Sequence, residues 1–359
     1  MHEDTGALRP KVLCILPLKR FEEAGVVFPE TLDFRFDEVL NEKEIISACQ
    51  DVDFFLVPAA YPDISSRIIE NIPAVRMIQT TGTGFNRIDI QSAARLGIPV
   101  ANSPGRNVTT VAEFTLALLI ALQRRLVVSD REIKAGQYSR ARERFFTSGS
   151  REVSEARIGI IGFGEIGRKV AQLTLSLGAS VSCYDVAQTP ETLQNELGVA
   201  FKPLDELLRS CDVISVHVPL TDRTRGMVGS RELRLMPEGS LLINTSRGEV
   251  VDQKALAEAL EAGYLGGAAL DTVYPEPLPP DDPLLQLSPS ARDRLLLTPH
   301  IAGMTRGAMH RMLSGAIENI LRAASGQSPE HVVNGIHKLR GDGFVKSPHS
   351  GENRSPEVS

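Results

Sequence analysis

Three apolar runs in the second half of the sequence each end on ionisable side chains. "SLLINTSRG" runs into Arg247, "GGAALDTVYPEP" into Asp271 and Glu276, and "RLLLTPHIAGM" into His300. An imidazole, with an ordinary pKa of about 6.5, can give or take a proton near neutral pH. A guanidinium can hold two oxygens of an acid at once, in a fork that lysine lacks. Taken singly, each residue has a plainer explanation: Arg247 as a surface cation, Glu276 as a loop carboxylate, His300 as a satisfied polar ring. Their shared position at the carboxyl ends of strands points instead to a reaction site, because open α/β sheets place their ligands there.

A second pattern says what stands beside them. "RIGIIGFGEIGRKV" contains Gly162-x-Gly164-x-x-Gly167 between an apolar strand and a helix that stops at Gly178, and "SVSCYD" then delivers Asp185 at the next strand end. In this context the glycines serve a tight turn, close backbone approach to a pyrophosphate, and helix-on-strand packing. The helix start offers free N–H groups and partial positive charge to phosphates. Asp185 is placed to accept hydrogen bonds from ribose hydroxyls and would repel a 2′-phosphate, so NAD is expected rather than NADP.

These residues need elements to hold them. Short β-branched runs alternate with amphipathic helical runs, the pattern of parallel α/β domains. Strands are expected at "KVLCIL", "DFFLVP", "RMIQTT" and "IPVAN", with helical stretches such as "EKEIISACQ" between them, then a long helix over 107–126. A polar, Arg-rich stretch over 139–155 separates this from further strands at "RIGIIG", "SVSCYD", "DVISVHV", "SLLINT", "GGAALD" and "RLLLTP". A last helix is expected over roughly 306–324, and the tail from 341 to 359, poor in large apolar residues, is expected to be disordered. "EIISACQDVDFFLVP" and "ELLRSCDVISVHVP" echo one another without amounting to a repeat.

At 359 residues the chain has room for two domains. Its 42% hydrophobic and 23% charged residues are those of a globular protein, and a net charge of −6 gives no basic footprint for nucleic acid. The four cysteines (Cys14, Cys49, Cys183, Cys211) lie apart, as buried reduced thiols of a cytoplasmic protein would. "MHEDTGALRPK" is acidic and lacks an apolar core, so no secretory signal is expected there. "FTLALLIAL" is about half the length of a membrane span, which leaves a core or subunit-interface helix and no membrane association.

On these residues the chain resembles the D-isomer-specific 2-hydroxyacid dehydrogenase family. The matching stretches are "TTGTGFNRID", "NSPGRNVTTVAEFTLALL", "GIIGFGEIG", "HVPLTDRTRGMV", "INTSRGEVVD", "GGAALDTVYPEPLP" and "TPHIAGMT", in the family's order and spacing. The resemblance implies two doubly wound parallel-sheet domains, a Rossmann-type NAD domain (106–305) inserted into a flavodoxin-like substrate domain. The latter would comprise 1–105 and 306–340, completed by the last helix and residues 332–333. It makes Arg247 the substrate-binding and polarising arginine, Glu276 the carboxylate paired with histidine, and His300 the acid/base. Glu165, Ile166 and Val218 would join the glycines and Asp185 at the cofactor. So would Thr245, Ser246, Asp271 and Gly303. Backbone N–H groups of Thr83 and Gly84 would hold the substrate carboxylate, and the chain would form a homodimer.

The implied chemistry suits these residue types. Reducing a 2-oxo acid, such as hydroxypyruvate or glyoxylate, needs a hydride at C2 and a proton on the oxygen. Glu276 would favour the charged imidazole and so extend reduction to higher pH. His217, in a strand that ends near the cofactor, has no acid partner following it, and His310, on the last helix, is expected in a polar surface or interdomain role; neither is expected to carry the chemistry. Formate dehydrogenases place glutamine where Glu276 stands, and phosphite dehydrogenases place lysine where Thr83 stands, which counts against both activities. An NAD-sensing transcriptional corepressor of the same fold is the alternative from another class. The approach "SGSREVSEARIGIIG", the absence of Trp and the length of the stretch between Glu276 and His300 depart from the family pattern.

Overall fold

A computed structural model describes residues 9–38, 41–59, 61–187, 194 and 196–341, without the side chain of Ser148. Of the expected disordered tail over 341–359, residues 342–359 lie outside the described residues. The chain divides into two units, Met1–Arg106 with Arg306–Ser359, and Asn107–Thr305.

The first unit is built on strands β1 (Lys11–Cys14), β2 (Asp33–Phe36), β3 (Phe54–Val57), β4 (Met77–Thr80) and β5 (Val100–Ala101). They form a parallel sheet in the order β2-β1-β3-β4-β5, one of the two common doubly wound orders. Strands β3 and β4 are buried at every residue; β3 reads as a continuous apolar run, whereas β4 buries Gln79 and Thr80, whose side chains donate to Thr80 O and Gly82 O. β2 is one of two strands that the sequence reading passes over, the other being Ala200–Phe201 in the second unit. β2 is an edge strand, and its "DFRF" alternates charge with the phenylalanines that pack around Phe21 and Phe28. One face of the sheet packs against helices Leu18–Glu23 and Arg306–Ala324, through Phe21, Leu313, Ile317 and Ile320. The other packs against Ile45, Ile68, Ile69 and Ala93, from helices Glu42–Ala48, Ser66–Glu70 and Ile90–Arg95. Beyond the last helix the chain returns to the sheet: Ala101 bridges Val332 antiparallel, and Val333 N donates to Val100 O at 2.8 Å.

The second unit holds strands β6 (Arg157–Ile161), β7 (Ser180–Tyr184), β8 (Ala200–Phe201), β9 (Val213–Val216), β10 (Leu241–Asn244), β11 (Gly267–Leu270) and β12 (Leu295–Leu297). Their order, β12-β11-β10-β9-β6-β7-β8, is the dinucleotide-binding arrangement extended by one strand, all parallel. The direction of winding reverses between β6 and β9. The carboxyl ends of those two strands therefore flank the crevice in which such sheets bind ligands.

The expected helix over 107–126 is shorter, Val108–Gln123. Arg125 adopts φ 48°, and a second helix, Leu126–Lys134, starts beyond it. Helix Val108–Gln123 buries Val111, Ala112, Leu118 and Leu119, the last three in a cluster with β6, β7 and helix Glu165–Ser176. Most of its apolar character thus serves this unit's own core. The stretch read as a polar separator contains helix Tyr138–Ser148, joined to the preceding helix by Arg144, which holds Glu132 through two hydrogen bonds of 2.6 and 3.1 Å. The long stretch before β12 carries a short helix, Pro289–Arg292. All four cysteines are buried, and burial pushes the thiols of Cys14, Cys49 and Cys183 up to about 12. Among the described residues no helix is long and apolar enough to cross a membrane, and no cluster could hold a metal ion.

Candidate active site

The three ionisable groups singled out in the sequence stand at the ends of β10, β11 and β12. β10 stops at Asn244, which is wholly buried and organises the turn that follows. Its Oδ1 accepts from Ser246 N (3.0 Å) and Ser246 Oγ (2.7 Å), and its Nδ2 donates to the Arg247 carbonyl (2.8 Å). Arg247 donates from Nη1 to Ser246 O at 2.6 Å. Desolvation lowers its pKa, while Glu249 and Glu276 pull the other way, so the guanidinium remains a cation. A Cβ on Gly248 would stand 2.1 Å from the Val273 carbonyl carbon and 2.6 Å from Tyr274 N. Only glycine lets the Arg247 turn lie against the segment that leads to Glu276.

β11 ends at Asp271, 1% exposed, whose carboxylate is taken up by the turn after β12. Oδ1 accepts from Thr298 Oγ1 (2.6 Å) and Ile301 N (2.9 Å), and Oδ2 accepts from Ala302 N (2.8 Å). The Asp271 carbonyl accepts from His300 N at 2.8 Å. His300 sits inside this net at φ 55°, a left-handed conformation that costs about 1–2 kcal/mol outside glycine. Its Nδ1 lies 3.1 Å from both Glu276 oxygens. The carboxylate thereby occupies Nδ1 and leaves Nε2 as the atom that can exchange a proton with a ligand. The two side chains are about a third exposed, so solutes can reach the pair.

The cofactor residues form a second group in the same unit. Gly162 has φ 94°, and a Cβ there would stand 2.7 Å from the backbone of His217 and 2.9 Å from Val218 Cγ1. A Cβ on Gly167 would stand 2.1 Å from Gly162 O, whereas one on Gly164 would meet nothing within 4 Å. The turn is thus closed by two glycines and open at the third, as a pyrophosphate cradle must be. Glu165 and Ile166 form the first turn of helix Glu165–Ser176, and Ile166 packs against the core beneath. Asp185 accepts from Phe163 N (2.6 Å) and Ala187 N (2.9 Å), so its carboxylate also braces the glycine turn. Thr245 Oγ1 pairs with Thr115 Oγ1 at 3.1 Å, and Gly303 lies against Asn107, 2.8 Å from its own would-be Cβ. These residues fit a dinucleotide.

Thr83 and Gly84 belong to the first unit, in the turn after β4. Asn102 Nδ2 donates to Thr83 O at 2.8 Å, and Thr80 Oγ1 to Gly82 O at 2.7 Å, so side chains fix this turn. His217 is half-buried, pairs with Ser215 Oγ at 2.8 Å, and is pushed down to about 4 by desolvation of its ring. His310 bonds the Ala24 carbonyl at 3.0 Å. Asn244, Thr298 and Gly248 escape the sequence reading as supports of the site. Asn244 and Thr298 look like strand-end polar residues until their partners are in place.

Comparison with known proteins identifies the family. Residues 116–302 match the family model described as D-isomer specific 2-hydroxyacid dehydrogenase, NAD binding domain. A glyoxylate reductase of Korarchaeum cryptofilum is 38% identical over 305 residues, 85% of this chain and 90% of that protein. A glyoxylate reductase of Aeropyrum pernix is 35% identical over 335 residues, 89% of this chain and 97% of that protein. A crystal structure of D-lactate dehydrogenase from Aquifex aeolicus, complexed with NAD and lactic acid, superposes with a TM-score of 0.74 at 28% identity, covering 88% of this chain and 96% of that one. These matches favour an enzyme over a corepressor. The chain belongs to the D-isomer specific 2-hydroxyacid dehydrogenase family and is an NAD-dependent oxidoreductase of 2-hydroxy acids.

Proposed function

We propose that this chain reduces a small 2-oxo acid of the glyoxylate or hydroxypyruvate class, with NADH preferred over NADPH. The observation that carries the chemistry is the contact of His300 Nδ1 with both oxygens of Glu276 at 3.1 Å. When bound, the dinucleotide supplies the hydride. Arg247 binds and polarises the 2-oxo acid, its positive charge drawing electron density onto the carbonyl oxygen. His300 delivers the proton from Nε2, and Glu276, held against Nδ1, fixes the orientation of the ring. Backbone N–H groups of Thr83 and Gly84 hold the substrate carboxylate. Cofactor preference rests on Asp185, whose negative charge opposes a 2′-phosphate.

Asp271 is proposed to meet the cofactor with whatever acceptor capacity the His300 turn leaves it. The buried thiols support a cytoplasmic setting. A homodimer is supported by apolar side chains that this chain leaves in water at Leu126, Val127, Ile133, Tyr138 and Phe146. The test is a steady-state panel of glyoxylate, hydroxypyruvate, pyruvate and bulkier 2-oxo acids, each with NADH and NADPH. Turnover of the two-carbon or three-carbon acids with NADH is expected. No turnover of any 2-oxo acid would overturn the proposal.

A further inference from the structure

Glu276 is carried by the segment 271–277, which has no helix or strand of its own and must be held from outside. One hold is the backbone contact with Gly248. Another is Gln253, the first residue of helix Gln253–Glu261. Asp252 caps this helix by accepting from Lys254 N and Ala255 N, both at 3.0 Å. The Gln253 carboxamide is therefore free for other partners. Its Oε1 accepts from Tyr274 N at 2.6 Å, and its Nε2 donates to Asp282 Oδ2 at 2.9 Å. A backbone N–H can only donate and a carboxylate can only accept, so this amide has one consistent orientation. Asp282 is 6% exposed, and its Oδ1 accepts from Leu284 N at 2.9 Å. The chain Leu284–Asp282–Gln253–Tyr274 thus ties the stretch before helix Pro289–Arg292 to the segment bearing Glu276.

The geometry points to Gln253 and Asp282 as positioning residues for Glu276, and through it for the His300 imidazole. This rests on the role proposed for Glu276. The anchored N–H of Tyr274 lies two residues before Glu276, within about 7 Å along the chain, too short a span to absorb a shift of the anchor. Both Glu276 oxygens sit at hydrogen-bond distance from Nδ1, and a displacement of about 1 Å at such a group can cost up to 100-fold in rate. Neither Gln253 nor Asp282 is placed here in contact with substrate or cofactor. Their effect is expected in kcat for reduction and in its pH profile, with the KM for NADH unchanged.

The test is an exchange of partners. Gln253→Glu sets two carboxylates against each other, and Asp282→Asn sets two amide N–H groups against each other. In the double variant the introduced amide can donate to the introduced carboxylate, which still accepts from Tyr274 N. Each single variant is expected to lose about 10-fold in kcat, and the double variant to recover to within about 3-fold of the parent. Glu276→Gln is measured beside them, with thermal unfolding of all variants to correct for the folded fraction. If Glu276→Gln keeps the parental kcat, the role of Glu276 falls and the inference falls with it. If Glu276→Gln is slow while both single variants keep the parental kcat, the inference alone is overturned. It is also overturned if the double variant regains thermal stability but not kcat.

Discussion

Replacing Asp271 by asparagine tests how His300 is held. Three hydrogen bonds converge on this carboxylate, at 2.6, 2.9 and 2.8 Å, from Thr298 Oγ1, Ile301 N and Ala302 N. Asparagine can keep the first two through its carbonyl oxygen, but its amide nitrogen then faces the Ala302 N–H, donor against donor. One bond to a charged acceptor is lost, worth about 1.5–3 kcal/mol, and a buried N–H is left without a partner, at about 1–3 kcal/mol. The two effects overlap, so a net loss of about 3 kcal/mol is expected. The turn also loses part of what holds His300 at φ 55°. Some of the loss should therefore appear as a misplaced imidazole, with kcat for 2-oxo acid reduction falling about 10- to 100-fold. Urea unfolding measures the first quantity and initial rates of NADH oxidation the second. An asparagine variant within about 0.5 kcal/mol and 2-fold of the parent would refute the reasoning. So would a variant of unchanged stability and kcat that had lost only affinity for NADH, because Asp271 would then serve the cofactor and not the turn.

Two other substitutions follow from the same structure. Gly162→Ala combines an unfavourable φ of 94° with a Cβ 2.7 Å from the His217 backbone, so isothermal titration should show NADH binding weakened at least 10-fold, with a lowered thermal midpoint. His217, pushed down to about 4 by burial, takes up a proton in the unfolded chain at a higher pH than in the folded one. Its contribution to stability is whole above pH about 6.5 and is lost as pH falls from there toward 4, by up to about 1.4 kcal/mol per pH unit. Unfolding curves of His217→Gln over that range should be flatter than those of the parent by this amount.

The parts of this protein that were legible in its sequence are those whose reasons are local. Glycines at 162 and 167 announce a turn because no side chain fits there, and most buried parallel strands announce themselves as apolar runs. Strand β2 was not legible, because an edge strand with Asp33 and Arg35 on it lacks such a run. The break at Arg125 was not legible either: the residue carries no glycine or proline signal for its left-handed backbone. Asp271 illustrates the boundary within one side chain. Its place at a strand end could be read, but its three donors come from a turn roughly thirty residues away, and only folding brings them together. Asn244, Gln253 and Asp282 belong to the same class.

The pairing of Ala101 and Val100 with residues 332 and 333 has a consequence for how the molecule is made. Strand β5 leaves the ribosome before the second unit, and the segment that covers its open side only after it. Until then the nascent sheet presents an unpaired border to its surroundings, the kind of border on which chains stick to one another. Synthesis halted before Val332 would leave that border exposed for good, so truncated products of this gene should aggregate rather than accumulate as soluble fragments.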